Sequence, residues 1–196
     1  MARNRLWVEL MKRISLIVLI ASVSSFGFAQ ETNSPKTMLE NFESQTGAVI
    51  IKGLLDVGIV KGLGSVAVEC REFLNASTSR RQFGVIVDVT ESGRLDRSRR
   101  SYLDLDEIDS LLKGIDYICK LDKTAVSLPD FEASYTTKGG LRVLVFTNKS
   151  GKLESAVDAG GFGSATAYLT IEQLSKLRSL LQEAQIKLSS ISKTHT

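Results

Sequence analysis

Tyr102-Leu103-Asp104-Leu105-Asp106-Glu107-Ile108 and, 66 positions later, Tyr168-Leu169-Thr170-Ile171-Glu172-Gln173-Leu174 carry one pattern twice. In each, an aromatic-leucine pair closes an extended stretch. A residue suited to cap a helix follows, Asp104 or Thr170, and three positions on stands Glu107 or Gln173. That is the spacing of a capping box, in which the two side chains satisfy each other's free backbone N–H groups. Apolar residues then recur at helical intervals: Ile108, Leu111, Leu112, Ile115 and Cys119 after the first start, and Ile171, Leu174, Leu177, Leu181, Ala184 and Leu188 after the second. Leu111 falls on Leu177. The spacing predicts one helix from Asp104 to about Leu121 and another from Thr170, the latter with exposed Glu172–Lys176 and Glu183–Lys187 pairs.

Upstream of each helix the period changes from helical to alternating. Ala48 to Val60 reads as a strand with Val49, Ile51, Leu55, Val57 and Ile59 on its core side and Lys52 and Asp56 on the other. Ser65 to Leu74, Phe83 to Thr90 and Arg97 to Leu103 follow, separated by polar turns. In the second half, Phe131 to Thr137 and Leu141 to Thr147 form a hairpin around Lys138-Gly139-Gly140. Further strands run near Lys152 to Val157 and from Ser164 to Leu169. Before the first strand, Ser34-Pro35 predicts the start of a short helix with Met38, Leu39 and Phe42 on one face, ending near Gly47.

The expected fold is therefore α+β: two ββββα pseudo-repeats, antiparallel sheets covered by amphipathic helices, following a cleavable signal peptide. Each helical stripe is expected to lie across its own half's strands. The organisation is a signal peptide over 1–29, a polar segment with the short helix over 30–46, the first half over 47–121, a connector over 122–130, the second half over 131–190 and a tail over 191–196. The doubled order resembles the Whirly and transcriptional-coactivator superfamily of single-stranded nucleic-acid binders. Tyr102 through Leu112 looks like that family's strand-into-helix segment, and Lys52-Gly53-Leu54-Leu55 stands where its Lys-Gly-Lys strand motif would fall, with Leu54 replacing the second lysine. The resemblance covers about residues 47–189; it implies this fold and, as an expectation, single-stranded nucleic-acid binding.

Residues 1–29 have the form of a secretory leader. Arg3, Arg5, Lys12 and Arg13 precede a short apolar run, Ile14 to Val23, and Gly27-Phe28-Ala29 suits cleavage before Gln30. The run is shorter than the ~20 residues that span a bilayer, which disfavours an uncleaved anchor. Met11-Lys12-Arg13 offers a second, compact start. The expected location is periplasmic or secreted, in a bacterial setting. Loss of the leader removes four basic residues and one acid, leaving 21 of each sign, so the 25 to 22 excess in the whole chain is not a nucleic-acid footprint.

The chemistry available is narrow. The single histidine, His195, is next to last, which disfavours triads and histidine metal sites. No cofactor is expected. Cys70 and Cys119 face one expected core, either as a disulfide or as two buried thiols. Arg80, Arg81, Arg94, Arg97, Arg99 and Arg100, with Phe83 and Tyr102 interleaved, either bind a polyanion or form solvated turns paired with Asp88, Glu91 and Asp96. Gly160-Gly161-Phe162-Gly163-Ser164 precedes a strand and opens no helix, so it reads as a flexible hairpin connection or as a bulged strand edge that presents Phe162, in either case a lip for any pocket. Asn75-Ala76-Ser77 and Asn148-Lys149-Ser150 match glycosylation acceptors. Asp106, Glu107 and Asp109 lack the glycine and later glutamate of a calcium loop. Asp130 with Glu132, or Asp88 with Glu91, are the carboxylate pairs open to a histidine-independent hydrolase. The leading expectation is an exported, non-enzymatic binding or structural protein that associates with copies of itself through sheet edges; the nucleic-acid or polyanion module and the hydrolase are the alternatives.

Overall fold

A computed structural model describes residues 37–93, 96–161 and 163–194. The leader, Ser34-Pro35, Arg94, Phe162 and His195 lie outside the described residues. A short helix α1 (Met38–Glu43) leads into four antiparallel strands, β1 (Ile50–Gly62), β2 (Gly64–Asn75), β3 (Arg81–Glu91) and β4 (Arg97–Asp104), hydrogen-bonded in chain order. A 3-10 turn (Leu105–Glu107) opens helix α2 (Ile108–Ile118). The second sheet, β5 (Glu132–Thr136), β6 (Arg142–Thr147), β7 (Leu153–Ala159) and β8 (Ala165–Leu169), is again antiparallel in chain order, and the long helix α3 (Ile171–Thr194) completes the fold. The α+β class with two four-stranded antiparallel sheets follows directly from the alternating patterns.

One apolar core joins both sheets and both long helices. β2 and β3 contribute Val66, Val68, Val85 and Val87, β6 to β8 contribute Val143, Val145, Val157 and Ala167, and Leu111 and Leu177 are both fully buried in it. Alternation sets this face: the residues between these valines turn to the other side of each sheet. The helices cross over, however. α3, from the second half, lies against β1, β2 and β3, whereas α2, from the first half, lies against β5 and β6. The expectation that each helix covers its own strands is thus corrected. A short connection after β4 or β8 sends each helix across to the opposite sheet, where its stripe joins the common core. α2 and α3 run antiparallel, tied by Arg178 to both Asp116 oxygens at 2.9 Å and by Gln185 Nε2 donating to Asp109 Oδ1 at 2.8 Å. The Arg178 guanidinium holds the Asp116 carboxyl below its usual value. Among the described residues no helix is long and apolar enough to cross a membrane.

One further expectation changes, and one open alternative is decided. β1 is an edge strand whose bulge lies between Asp56 and Gly58, and most of it is exposed, including Ile51, Leu55 and Ile59, as is Val49 just before it. Alternating apolar residues look alike on a central strand and on an edge strand, so the sequence pattern misplaces them in the core. The cysteines are free thiols. Cys70 Sγ donates to Ala184 O at 3.6 Å, while Cys119 is hydrogen-bonded to Ser175. Those two α3 stations are about 13 Å apart along the helix. α3 thus holds the sulfurs at separate levels, too far apart for a sulfur–sulfur bond of about 2.05 Å. Burial pushes the Cys70 thiol up to about 11 and raises that of Cys119.

Candidate functional site

The two capping boxes form, and each does more than cap. At the first, Asp104 N donates to Glu107 Oε1 at 3.0 Å, and the second carboxylate oxygen of Glu107 accepts from Lys138 N in the β5–β6 turn, also at 3.0 Å. At the second, Thr170 N donates to Gln173 Oε1 at 2.8 Å and Gln173 N to Thr170 Oγ1 at 3.2 Å, while Gln173 Nε2 donates to Lys61 O at the end of β1, 2.7 Å away. Each helix start thus clasps the first hairpin of the other half. Backbone follows the same rule. A Cβ on Gly139 would meet Tyr102 O at 2.0 Å, and one on Gly62 would meet Tyr168 O at 2.2 Å, so a side chain is excluded at both crossings. Ser101 Oγ donates to Gly139 O at 2.9 Å, and Leu63 exchanges backbone hydrogen bonds with Tyr168 at 3.0 and 2.9 Å.

What lies outside the two clasps differs. Over the first sits α1. Thr37 caps it, accepting from Glu40 N at 3.1 Å, and Asp104 supplies a tertiary cap, its two oxygens accepting from Met38 N at 2.9 Å and Leu39 N at 3.0 Å. Helix α1 therefore starts at Met38, later than Ser34-Pro35 predicted, because its capping carboxylate comes from a distant part of the chain. Leu39 and Phe42 pack on Phe73 and Ile86, with Tyr102 alongside, and Tyr102 OH donates to Glu43 Oε2 at 2.5 Å. Burial and Glu43 together push the Tyr102 phenol up to about 12. Burial alone would raise Glu43, but hydrogen bonds from Lys52 and Tyr102 outweigh it and hold the carboxyl below its usual value.

Over the second clasp there is a cleft of about 680 Å³ instead, lined by Leu63, Phe146, Glu154, Tyr168 and Gln173 among others. Leu63 is 65% exposed and Tyr168 44%. The Phe146 and Tyr168 rings meet edge to face, 6.4 Å between centroids at 71°. Their strands are separated by β7, but Phe146 and Tyr168 share the outward face of the second sheet. Glu154 Oε1 accepts from Asn148 Nδ2 at 2.6 Å. Its second oxygen and the Tyr168 hydroxyl have no partner among the described residues. The cleft therefore offers an aromatic and aliphatic wall beside one anionic acceptor, which suits an apolar group carrying a hydrogen-bond donor.

The arginines do not form one patch. Successive β4 side chains point to opposite faces. Arg100 turns to Asp88, at 3.3 and 3.4 Å, while Arg97 and Arg99 turn to the glycine loop: Arg97 Nη1 donates to Ser164 O at 3.2 Å, and Arg99 lies against Gly160 and Gly163. Arg80 and Arg81 stand at the opposite end of β3, about 30 Å away at strand rise, with Arg81 paired to Glu72. β3 spans the whole sheet between them and Arg97, so Arg80 and Arg81 belong to a different surface from Arg97 and Arg99. Arg97 and Arg99 have no acidic partner among the described residues. Phe83 packs against the core and Tyr102 under α1, so neither interleaves with the arginines as an exposed stacking ring.

Other candidates are engaged structurally. Asn75 is buried, its Oδ1 accepting from Ser77 N and Thr78 N and its Nδ2 donating to Gln45 Oε1 at 2.8 Å, so a glycan has no room there. Asn148 Oδ1 orders its own turn through Ser150 N and Lys152 N. In the carboxylate pairs, Asp88 is held by Arg100 and Glu132 faces Arg142 at 3.5 Å. No group of three or more metal-ligating side chains occurs among the described residues. Sequence reading missed the cleft altogether; the matched Tyr102 and Tyr168 were its one signal. No protein family, curated protein or solved structure matches the chain.

Proposed function

We propose that this is an exported, non-catalytic binding protein built from two pseudo-repeats, and that its ligand site is the cleft beside Tyr168. The carrying observation is the unequal cover of two like surfaces. Tyr102 and Asp104 are covered by α1, whereas Tyr168 and Thr170, at the matching positions, border open space. Reciprocal clasps, crossed helices and paired glycine contacts support the pseudo-twofold relation. The ligand class follows from the cover already in place. α1 presents Leu39 and Phe42, one helical turn apart, and the cleft offers a comparable apolar floor to an amphipathic turn of a partner protein, with Glu154 favouring a partner that carries a cation or hydroxyl. Titration of the isotope-labelled protein with a panel of amphipathic helical peptides tests this. Saturable shifts are expected at Leu63, Tyr168 and Gln173, and Tyr168→Ala should weaken binding tenfold or more while the fold persists. Shifts confined to other surfaces, or none with any peptide, overturn the reading.

A second reading rests on Arg97 and Arg99, two guanidinium groups beside the glycine loop with no acidic partner among the described residues, and on the superfamily resemblance. It predicts salt-sensitive affinity for single-stranded DNA or heparin that disappears in Arg97→Ala/Arg99→Ala. Affinity unchanged by that double substitution removes it.

A further inference from the structure

The outer edge of β1 has a defined hydrogen-bonding phase. Ala76 N donates to Val49 O at 3.0 Å, and Ile50 stands opposite Asn75. In an antiparallel ladder this fixes the alternation: Val49, Ile51, Gly53 and Leu55 turn their backbone groups toward β2, while Ile50, Lys52, Leu54 and Asp56 turn theirs outward. No strand lies on that outer side among the described residues. Leu54 is 60% exposed, and Ile51, Leu55 and Ile59 are exposed beside it. A long edge with apolar side chains and free backbone groups is a template for another strand.

We propose that the second strand is β1 of another copy of this chain, paired antiparallel about a twofold axis at Leu54 and merging two first sheets into one of eight strands. The side chains select this partner and register. About that axis Leu54 exchanges both backbone bonds with Leu54 of the partner subunit. Lys52 then stands opposite Asp56 of the partner subunit, on the same face, and the reverse pair forms by symmetry. Gly53 receives Leu55 of the partner subunit, the small residue leaving space for the large one. Moving the axis to Gly53 or Leu55 keeps the bonding phase but sets each charge against an apolar residue or glycine. Asp56 has no ionic partner among the described residues, while Lys52 already leans on Glu43 and across the Phe73 ring at 5.8 Å. The bulge after Asp56 ends the pairing and keeps it from spreading into an open-ended ladder. Such a short interface sits at the small end of specific contacts, so dissociation in the micromolar range is expected.

Sedimentation velocity on the purified full chain across the micromolar range reads the proposal out directly. Wild type should pass from monomer to dimer. Asp56→Lys and Lys52→Asp should each shift the midpoint at least tenfold toward monomer, because each sets like charges in opposition twice. Their equimolar mixture should recover dimers, since one chain then carries lysine at both positions, the other aspartate at both, and opposite charges face each other again. Leu54→Pro should also be monomeric with an unchanged circular dichroism spectrum, because the lost N–H points away from β2. A wild-type chain that stays monomeric, charge variants that dimerise like wild type, or a mixture that stays monomeric overturns the proposal.

Discussion

The helix starts at Asp104 and Thr170 make matching local bonds in different surroundings, and the difference accounts for their residue types. At the first, Glu107 faces two donors, Asp104 N and Lys138 N, so it must be a carboxylate. At the second, Gln173 faces one donor, Thr170 N, and one acceptor, Lys61 O, so it must be an amide. The first clasp is buried and further sealed by α1; the second is partly open and borders the cleft. Matching capping bonds thus sit beneath a covering helix in one half and beside an open cleft in the other.

The strongest way to break this comparison is at the crossing glycines. Gly139→Ala and Gly62→Ala each drive a Cβ into a backbone carbonyl that cannot swing aside, so each should cost about 3 kcal/mol in chemical denaturation. Near-equal losses support equivalent clasps. A loss at only one site separates them.

Exchanging the two box residues sharpens it further. Glu107→Gln sets an amide donor against a backbone donor in a buried site, and should cost about 2 kcal/mol. Gln173→Glu sets a carboxylate oxygen against Lys61 O, but water can enter there, and the expected loss is under about 1 kcal/mol. Paired melts of these variants at neutral pH give the ordering; a larger loss at Gln173 contradicts the assignment of the buried clasp to the first half.

How much of this was legible follows from range along the chain. Capping boxes and helical stripes are written within one or two turns, and Asp104–Glu107, Thr170–Gln173, Leu111 and Leu177 all took the places their spacing required. The third partner of each clasp was not legible. Lys138 N and Lys61 O are backbone groups without a side-chain signature, and only the folded topology brings them in. The same holds for α1, whose capping carboxylate is Asp104. The exposure of Ile51 and Leu55 was hidden because alternation reports a face and not whether anything covers it. The splitting of Arg97 and Arg99 from Arg100 was within reach, since their odd and even numbers on one strand already place them on opposite faces. The helix crossover was not, because either sheet satisfies the same stripe.

The smallest expected effect separates the two tyrosines. The Tyr102 phenol, raised from 10.0 to about 12 by burial and by Glu43, is kept protonated by the fold. A raised folded-state value contributes stability that is complete below pH 10 and drains away as the pH climbs toward 12. Cys70, raised from 9.0 to about 11 by burial, adds a loss that begins one unit lower. The melting temperature should therefore fall from about pH 9 upward. Tyr102→Phe, which cannot ionise, should fall less steeply between pH 10 and 12 while retaining the earlier Cys70 limb. It should also lose some stability at neutral pH, because Glu43 loses a hydrogen bond. Tyr168→Phe, at the open cleft, should stay within about 0.5 kcal/mol of wild type at neutral pH. An alkaline limb in Tyr102→Phe as steep as in wild type would mean that α1 does not seal the first surface, and with it the contrast between covered and open halves would go.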